Sequence, residues 1–569
     1  MDLNNLIACA KGEIKADLVL TNARIINVFS GDIISGNIAV KDGYIAGIGD
    51  YSGITEMDMK NKFICPGFID AHVHIESSMA SVSEFARAVV RCGTTSVIAD
   101  PHEIANVMGT EGIKYMFKSG ENQPLNVFYS LPSCVPATNM ETSGAILNSD
   151  DLKQLINNKN IKALAEMMNY PGVIYRDIEV LKKIMLAKDS CKRADGHCPG
   201  LSSKDLNAYL CSGISSDHEC STAREAREKL AAGMFIMVRE GTGVKNLEDL
   251  LPIINEKTFH RIMWCTDDRH PHDILEYGHV DYIVRKAVKA GLDPVTAIQI
   301  ATINPAQYFS IHDTGAIAPG RQADLIVFSN LNNINPEQVW HKGVLVSEHN
   351  KMLPNIKQPS SFTLSGSMNL QPDSIDFSIP AETENIRVIK IIPNQLLTSQ
   401  SIEKTNIINN MASSDPDRDL LKIAVVDRHS GKGSTGKGFV KGLGLNHGAL
   451  ASSVAHDSHN IIVVGTNDED MKTALKQVVK MGGGLAAACN KQIKAKLPLP
   501  IAGLMSYEPL PVIQEQLDNI LTESKKLGSK LPDPFMILSF LALPVIPELK
   551  ITDQGLVDVN LFKHVSLFV

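Results

Sequence analysis

Between residues 65 and about 312, short apolar runs alternate with helix-like stretches, and this constrains the fold more than any other feature of the 569-residue chain. The apolar runs fall at 95–99, 125–130, 163–166, 190–196, 213–216, 234–238 and 261–265, with helical segments such as 81–92 and 221–232 between them. Strands covered by helices on both faces read as continuous apolar runs, and alternation with helices requires parallel crossover units. The pattern therefore predicts an α/β fold with a (β/α)8 TIM-like barrel over 65–312, its active site at the carboxyl ends of the strands.

Both flanks of this region read differently. Residues 18–20, 24–29, 38–40 and 44–48 are short β-type runs, with Asp42-Gly43 as a hairpin turn between the last two. Strand-like residues return at 315–317 and 324–328. Residues 1–64 plus 313–360 thus predict one small β-sandwich domain built from both flanks. Residues 355–385 are rich in Pro, Ser and Asn and read as a linker. Residues 385–569 predict a C-terminal α/β domain with strands at 386–392, 421–426 and 460–464 and a helix at 468–479.

The sharpest chemical signal is Pro66-Gly67-Phe68-Ile69-Asp70-Ala71-His72-Val73-His74. Alternate residues of a strand share a face, so His72 and His74 point the same way from one strand end, as two ligands of one metal would. Later predicted strand ends supply more ligands: Glu166 after 163–165, His197 after 195–196, His218 after 213–217, and Asp267 and Asp268 after 262–266. Imidazole with carboxylate suits Zn, Fe(II) or Mn(II), and the lack of cysteine ligands speaks against a structural zinc site. Two divalent cations carry four positive charges, of which Glu166, Asp267 and one hydroxide would neutralise three; a single ion would leave several of the six groups without a partner. The residues favour two ions sharing a bridge.

Composition excludes other classes. The net charge of −8 and 5% aromatic content lack the basic, base-stacking footprint of a nucleic-acid binder. The most apolar run, 535–546, contains Pro544 and is too short to span a bilayer. None of the ten cysteines forms a CxxC pair, and the chain starts without a basic, apolar leader, so a reducing cytoplasm is the expected location.

PGFIDxHxH, the later strand-end histidines and the final aspartate resemble the amidohydrolase superfamily. More narrowly, PGFIDAHVHIESS (66–78), ADPHEIANV (99–107), GHCPGL (196–201), DHEC (217–220) and CTDDRHP (265–271) resemble the bacterial adenine deaminase family, over nearly the whole chain. The resemblance implies that Glu166 bridges two metals where many relatives use a carboxylated lysine. It implies that His72, His74 and Asp267 hold one ion, and His197 with His218 the other. Iron or manganese is the metal such enzymes are expected to use, and the residues themselves equally admit zinc. The implied reaction is hydrolytic deamination of adenine to hypoxanthine and ammonia by metal-activated hydroxide attacking C6, with Asp267 as base and Asp268 bonding the purine ring. The expected partner is this small molecule, with no nucleic acid and no membrane, and the expected assembly a homo-oligomer, a dimer above other states.

One departure stands out. Mononuclear deaminases carry a glutamate three residues after the strand-five histidine for ring protonation, whereas His197 is followed by Cys198-Pro199-Gly200. His102, Glu103 and Glu240 are the replacement candidates, and each reads equally well as a loop residue. Weaker signals are the GKGSTGKG run (431–438), a near P-loop lacking the final hydroxyl and reading as a flexible loop or lid, and His456-Asp457-Ser458-His459, a turn or a second functional pair. His447, His270 and His272 are slighter cases, and Cys198 and Cys265 need no role. The rival readings are a hydantoinase-type cyclic-amide hydrolase, which usually needs a bridging lysine, and a non-catalytic scaffold, which commonly loses its ligands.

Overall fold

The computed structural model describes residues 2–353, 364, 366–393 and 395–569. Residues 354–363, within the expected linker and the end of the second β flank, lie outside the described residues.

Eight strands follow one another through the central region. They are β1 (Phe68–His74), β2 (Thr94–Ala99), β3 (Asn126–Leu131), β4 (Ile161–Met167), β5 (Arg193–Gly196), β6 (Ser216–Asp217), β7 (Phe235–Arg239) and β8 (Ile262–Cys265). β1 to β5 form a parallel sheet in chain order, and Asp267–Asp268 pairs with the other edge of β1. β6, β7 and β8 form a second parallel sheet. The chain passes from β8 through Thr266 into Asp267–Asp268, which joins the two sheets on one side. At the other side, between β5 and β6, no ladder forms among the described residues; Ser215 N–H donates to the Ala194 carbonyl at 3.0 Å. The result is a curled parallel sheet with helices outside it, open at this seam.

Local chemistry explains these elements. All seven residues of β1 are buried, as a strand covered on both faces requires. The helix Val82–Val90 starts at Ser81, whose Oγ accepts the Glu84 N–H, and buries Val82, Phe85, Ala86 and Val89 at helical spacing. Each such large apolar side chain contributes about 1.5–3 kcal/mol on burial. Gly67, just before β1, is required by space: a Cβ there would lie 2.0 Å from Thr95 Oγ1. That close approach lets β1 enter the sheet beside β2.

Strands from both flanks share one nine-stranded sheet, in which Leu325–Phe328 pairs antiparallel with Phe63–Pro66, the strand leading directly into β1. The helix Leu3–Ala10 and the strand Gly53–Asp58 were not legible in the sequence. The C-terminal region holds an eight-stranded sheet, including Asn385–Ile391, Leu420–Val426 and Ile461–Gly465, against which the helix Asp468–Lys480 packs. The helix Pro534–Leu541 covers the first part of residues 535–546. The glycine run at 431–438 leads into the strand Thr435–Lys441, not a helix, so it has no P-loop geometry.

The C-terminal region docks on the central sheet through backbone and side-chain bonds. Ser81 N–H donates to the Ser506 carbonyl and Ser506 N–H to the Met79 carbonyl. Thr142 N–H donates to Asp553 Oδ1, and Asn460 Nδ2 to the Thr142 carbonyl. Among the described residues no helix is long and apolar enough to cross a membrane.

Candidate metal centre

The carboxyl ends of β1, β4, β5, β6 and β8 bring His72, His74, Glu166, His197, His218 and Asp267 together. His72 Nε2 and His74 Nε2 are 3.1 Å apart, and each faces Asp267 Oδ1, at 3.3 and 3.1 Å. Glu166 lies between two groups of nitrogens. Its Oε1 is 3.6 and 3.3 Å from His72 and His74 Nε2, while Oε2 is 2.6 Å from His197 Nδ1 and 3.2 Å from His218 Nε2. The six side chains therefore form two ligand groups that share one carboxylate.

Three observations fit divalent ions at these two points. First, Nε2 of His72 and Nε2 of His74 converge to 3.1 Å on each other and on the same oxygens of Glu166 and Asp267. Second, His74 Nδ1–H donates to the Asp100 carbonyl at 3.1 Å, which leaves Nε2 unprotonated and free to ligate. Third, the ion-free cluster draws protons. Burial opposes charge on His72, yet Asp267 and Glu166 override it and push the imidazole up to about 10. Burial likewise opposes charge on His197, and Glu219 and Glu166 raise it to about 9. Burial would raise Glu166, but His218, His197 and His72 hold it well below the carboxylate range. The raised imidazoles and the lowered Glu166 carboxyl favour positive charge at the points where these side chains converge.

A supporting layer orients these ligands. Arg239, at the end of β7, places Nη1 2.6 Å from Asp267 Oδ2 and 2.5 Å from Glu219 Oε1. Asp267 has a left-handed backbone, φ +56°, a strained state for a residue with a Cβ. It is clamped through its neighbour: Thr266 donates both its N–H and Oγ–H to Asp70, at 3.2 and 2.5 Å. Lys229 is fully buried and bonds Asp217 Oδ2 at 2.9 Å, the Cys198 carbonyl at 2.7 Å and Glu225 Oε1. Asp217 Oδ1 in turn accepts the Cys198 N–H at 2.9 Å. This pair locks the residue after His197 to the residue before His218.

The ring-acid candidates separate. His102 and Glu103 stand at the carboxyl end of β2 beside the cluster: His102 Nδ1 is 3.0 Å from Asp100 Oδ2 and 3.7 Å from Glu166 Oε1, and its Nε2 is 3.6 Å from Glu103. Glu240 is not brought to them. Its carboxylate accepts the Leu247 N–H at 3.1 Å and faces the Lys286 ammonium at 3.1 Å, away from the cluster. Glu240 directly follows the last residue of β7, and in extended backbone adjacent side chains point to opposite sides, so Arg239 reaches the site instead. Asp268 accepts a bond from Ser77 Oγ at 2.5 Å and lines the cavity above the cluster.

That cavity, about 2730 Å³, is walled partly by the C-terminal region, with His456, Asp457, Met536 and Phe540 opposite the ligands. His456 Nδ1 is 2.7 Å from Glu103 Oε1, and His459 Nε2 bonds Glu103 Oε2. Of the weaker candidates, this pair reaches the site. His270 lies 3.9 Å from Asp533 and His272 packs edge-on to Tyr277. Sequence reasoning missed Asp100, Glu219, Arg239 and Lys229. Asp100 and Glu219 lie inside the ADPHEIANV and DHEC motifs, while Arg239 and Lys229 carry no local signal.

Comparison with known proteins shows the family. The amidohydrolase family model matches residues 63–346, and the adenine deaminase C-terminal domain model matches residues 395–563. A protein called adenine deaminase from Desulfatibacillum aliphaticivorans is 54% identical over 565 residues, covering 99% of each chain. Proteins of the same name from Dehalococcoides mccartyi and Clostridium acetobutylicum are 50% and 46% identical, covering 99% and 97% of this chain and 98% of each relative. Identity at this level along the whole length, with both regions matched, places the chain in the adenine deaminase family of amidohydrolases.

Proposed function

We propose that the chain hydrolyses adenine to hypoxanthine and ammonia. The observation that carries this reading is the pair of ligand groups sharing Glu166 at the floor of a cavity, in a chain about half identical throughout to proteins called adenine deaminase. His72, His74 and Asp267 would hold one ion and His197 and His218 the other, with Glu166 between; manganese or iron is the metal the family resemblance implies, and this donor set equally admits zinc. Bound ions would supply a water acidified towards neutrality as the nucleophile. The central fold is read as the family's (β/α)8 barrel, curled about this floor, within three units bounded as the sequence predicts.

The chain's own residues supply the rest. Asp267 takes the water proton and passes it to the exocyclic nitrogen, so that ammonia leaves. Arg239 and the Asp70–Thr266 clamp fix the direction of its carboxylate. Asp268, with one oxygen unbonded among the described residues, bonds the purine ring and orients C6 over the floor. Protonation of the ring nitrogen comes from the wall built by His102, Glu103 and the C-terminal histidines, with Glu240 set aside by its position. All ten cysteines are unpaired, which supports a reducing, cytoplasmic setting.

The test is ammonia release from adenine by protein loaded with Mn²⁺, set beside ring opening of hydantoin. Adenine turnover with two ions per chain is the expected result. Hydantoin opening without ammonia from adenine would transfer the site to cyclic-amide hydrolysis, and a chain that binds no metal would be a scaffold.

A further inference from the structure

The Glu103 carboxylate joins the barrel to the C-terminal region through two histidines, and their hydrogen bonds distinguish them. His459 Nδ1 accepts the backbone N–H of Ala455 at 3.1 Å, so its proton sits on Nε2 and is donated to Glu103 Oε2. His459 is thus a neutral donor, fully committed, and its protonated Nε2 cannot ligate a metal. His456 uses Nδ1 for Glu103 Oε1 at 2.7 Å, and no bond among the described residues occupies its Nε2. The imidazole lines the cavity that holds the ligand groups and is stacked on Phe540, ring centroids 4.7 Å apart and planes 24° from parallel. Its backbone N–H is tied to the Ser539 carbonyl. The ring is therefore held on one face and oriented by a buried carboxylate at one nitrogen, with no bond at the other among the described residues, in a residue that lines the cavity.

We propose that His456, from the C-terminal region, is the acid that protonates the purine ring, with Glu103 and His459 as its positioning residues. This rests on the adenine deaminase reading above and assigns the ring-protonating role left open by the missing glutamate after His197. The step balances as follows. Water oxygen bonds to C6, and the electron pair of the C6=N1 bond moves to N1, which takes the proton from His456 Nε2. The C6–N6 bond then breaks, ammonia leaves with the proton carried by Asp267, and C6=O forms. The remaining hydroxyl proton restores His456. Water thus provides both protons gained overall, one in ammonia and one on N1 of hypoxanthine.

A carboxylate behind an imidazole stabilises the imidazolium and holds its tautomer, as in catalytic dyads. Burial opposes charge on His456, but Glu103 raises its proton affinity to about 9, so the group stands protonated at neutral pH. The rival donor is Asp457, buried beside it and also lining the cavity, with Oδ2 unbonded.

The experiment uses the full chain loaded with Mn²⁺ and measures metal content, folding by circular dichroism, and ammonia release from adenine. His456→Gln is expected to lower kcat by about 10²–10⁴-fold, with KM changed far less and metal content unchanged. His456→Ala, folded and metal-replete, is expected to regain part of its turnover with imidazole in solution. Turnover close to wild type in His456→Gln overturns the proposal. So does a loss that tracks metal, a folded His456→Ala that imidazole leaves unchanged, or a larger loss in Asp457→Asn than in His456→Gln. A wild-type chain that releases no ammonia from adenine would instead overturn the functional reading itself.

Discussion

Replacing Lys229 by methionine tests whether the metal ligands are positioned from behind. Lys229 and Asp217 are both fully buried, and the ammonium makes three bonds, to Asp217, the Cys198 carbonyl and Glu225. Without it, Asp217 keeps, among the described residues, the Cys198 N–H at 2.9 Å and the weak thiol donors of Cys220 at 3.1 Å and Cys198 at 3.5 Å. Removing one partner of a buried pair leaves an uncompensated charge and costs about 3–5 kcal/mol. That is about two to four decades in the folding constant, and a large part of a domain's typical stability of about 5–15 kcal/mol. Because Cys198 follows His197 and Asp217 precedes His218, the affinity of the ion held by these histidines should fall by about 10–100-fold. Thermal unfolding at fixed Mn²⁺, with chelator competition for the ions, measures both. Lys229→Met with Asp217→Leu should recover most of the stability, since the single loss is mainly the orphaned charge. A single variant that unfolds like wild type and holds both ions as tightly would refute the reasoning.

Other outcomes follow from the same contacts. Lys229 holds the Asp217 carboxyl below its ordinary value of 3.8 against the opposing effect of burial, so the pair's contribution is complete above about pH 4 and is lost as pH falls through the folded value; acid titration of the melting temperature should show this loss in wild type, and Lys229→Met should lack it. Thr266→Val removes the hydroxyl donor to Asp70 behind the strained Asp267, at a cost of about 1.5–3 kcal/mol and with weaker metal retention on dialysis. Glu240→Gln should keep adenine turnover and metal content, because that carboxylate faces Lys286 and Leu247, while denaturant melts report a loss of about 1–3 kcal/mol; collapse of turnover at full metal content would return Glu240 to the chemistry.

Much of the site was legible because its signals are local. His72 and His74 are two apart on one strand, where period-two geometry gives them a common face, and each further ligand stands at the end of an apolar run. A difference of one position was not legible: at the end of β7 Arg239 reaches the site, while Glu240 faces Lys286 and the Leu247 N–H. The seam between β5 and β6 was equally invisible, since a ladder depends on the separation of two strands and not on either run alone.

By itself, the sequence determined the order of strands and helices, the six candidate ligands that the fold gathers and the two flanks that share one sheet, because periodicity and turn chemistry act over a few residues. Only the tertiary structure decided which distant groups meet. Glu103 and His459 are 356 residues apart in the chain, and no local pattern marks either for the other. Lys229 reads as one more charge on an exposed helix until packing strips its water and leaves Asp217 as its partner. Desolvation gives both pairs their importance, and it exists only once the C-terminal region and the helices have closed over the strand ends.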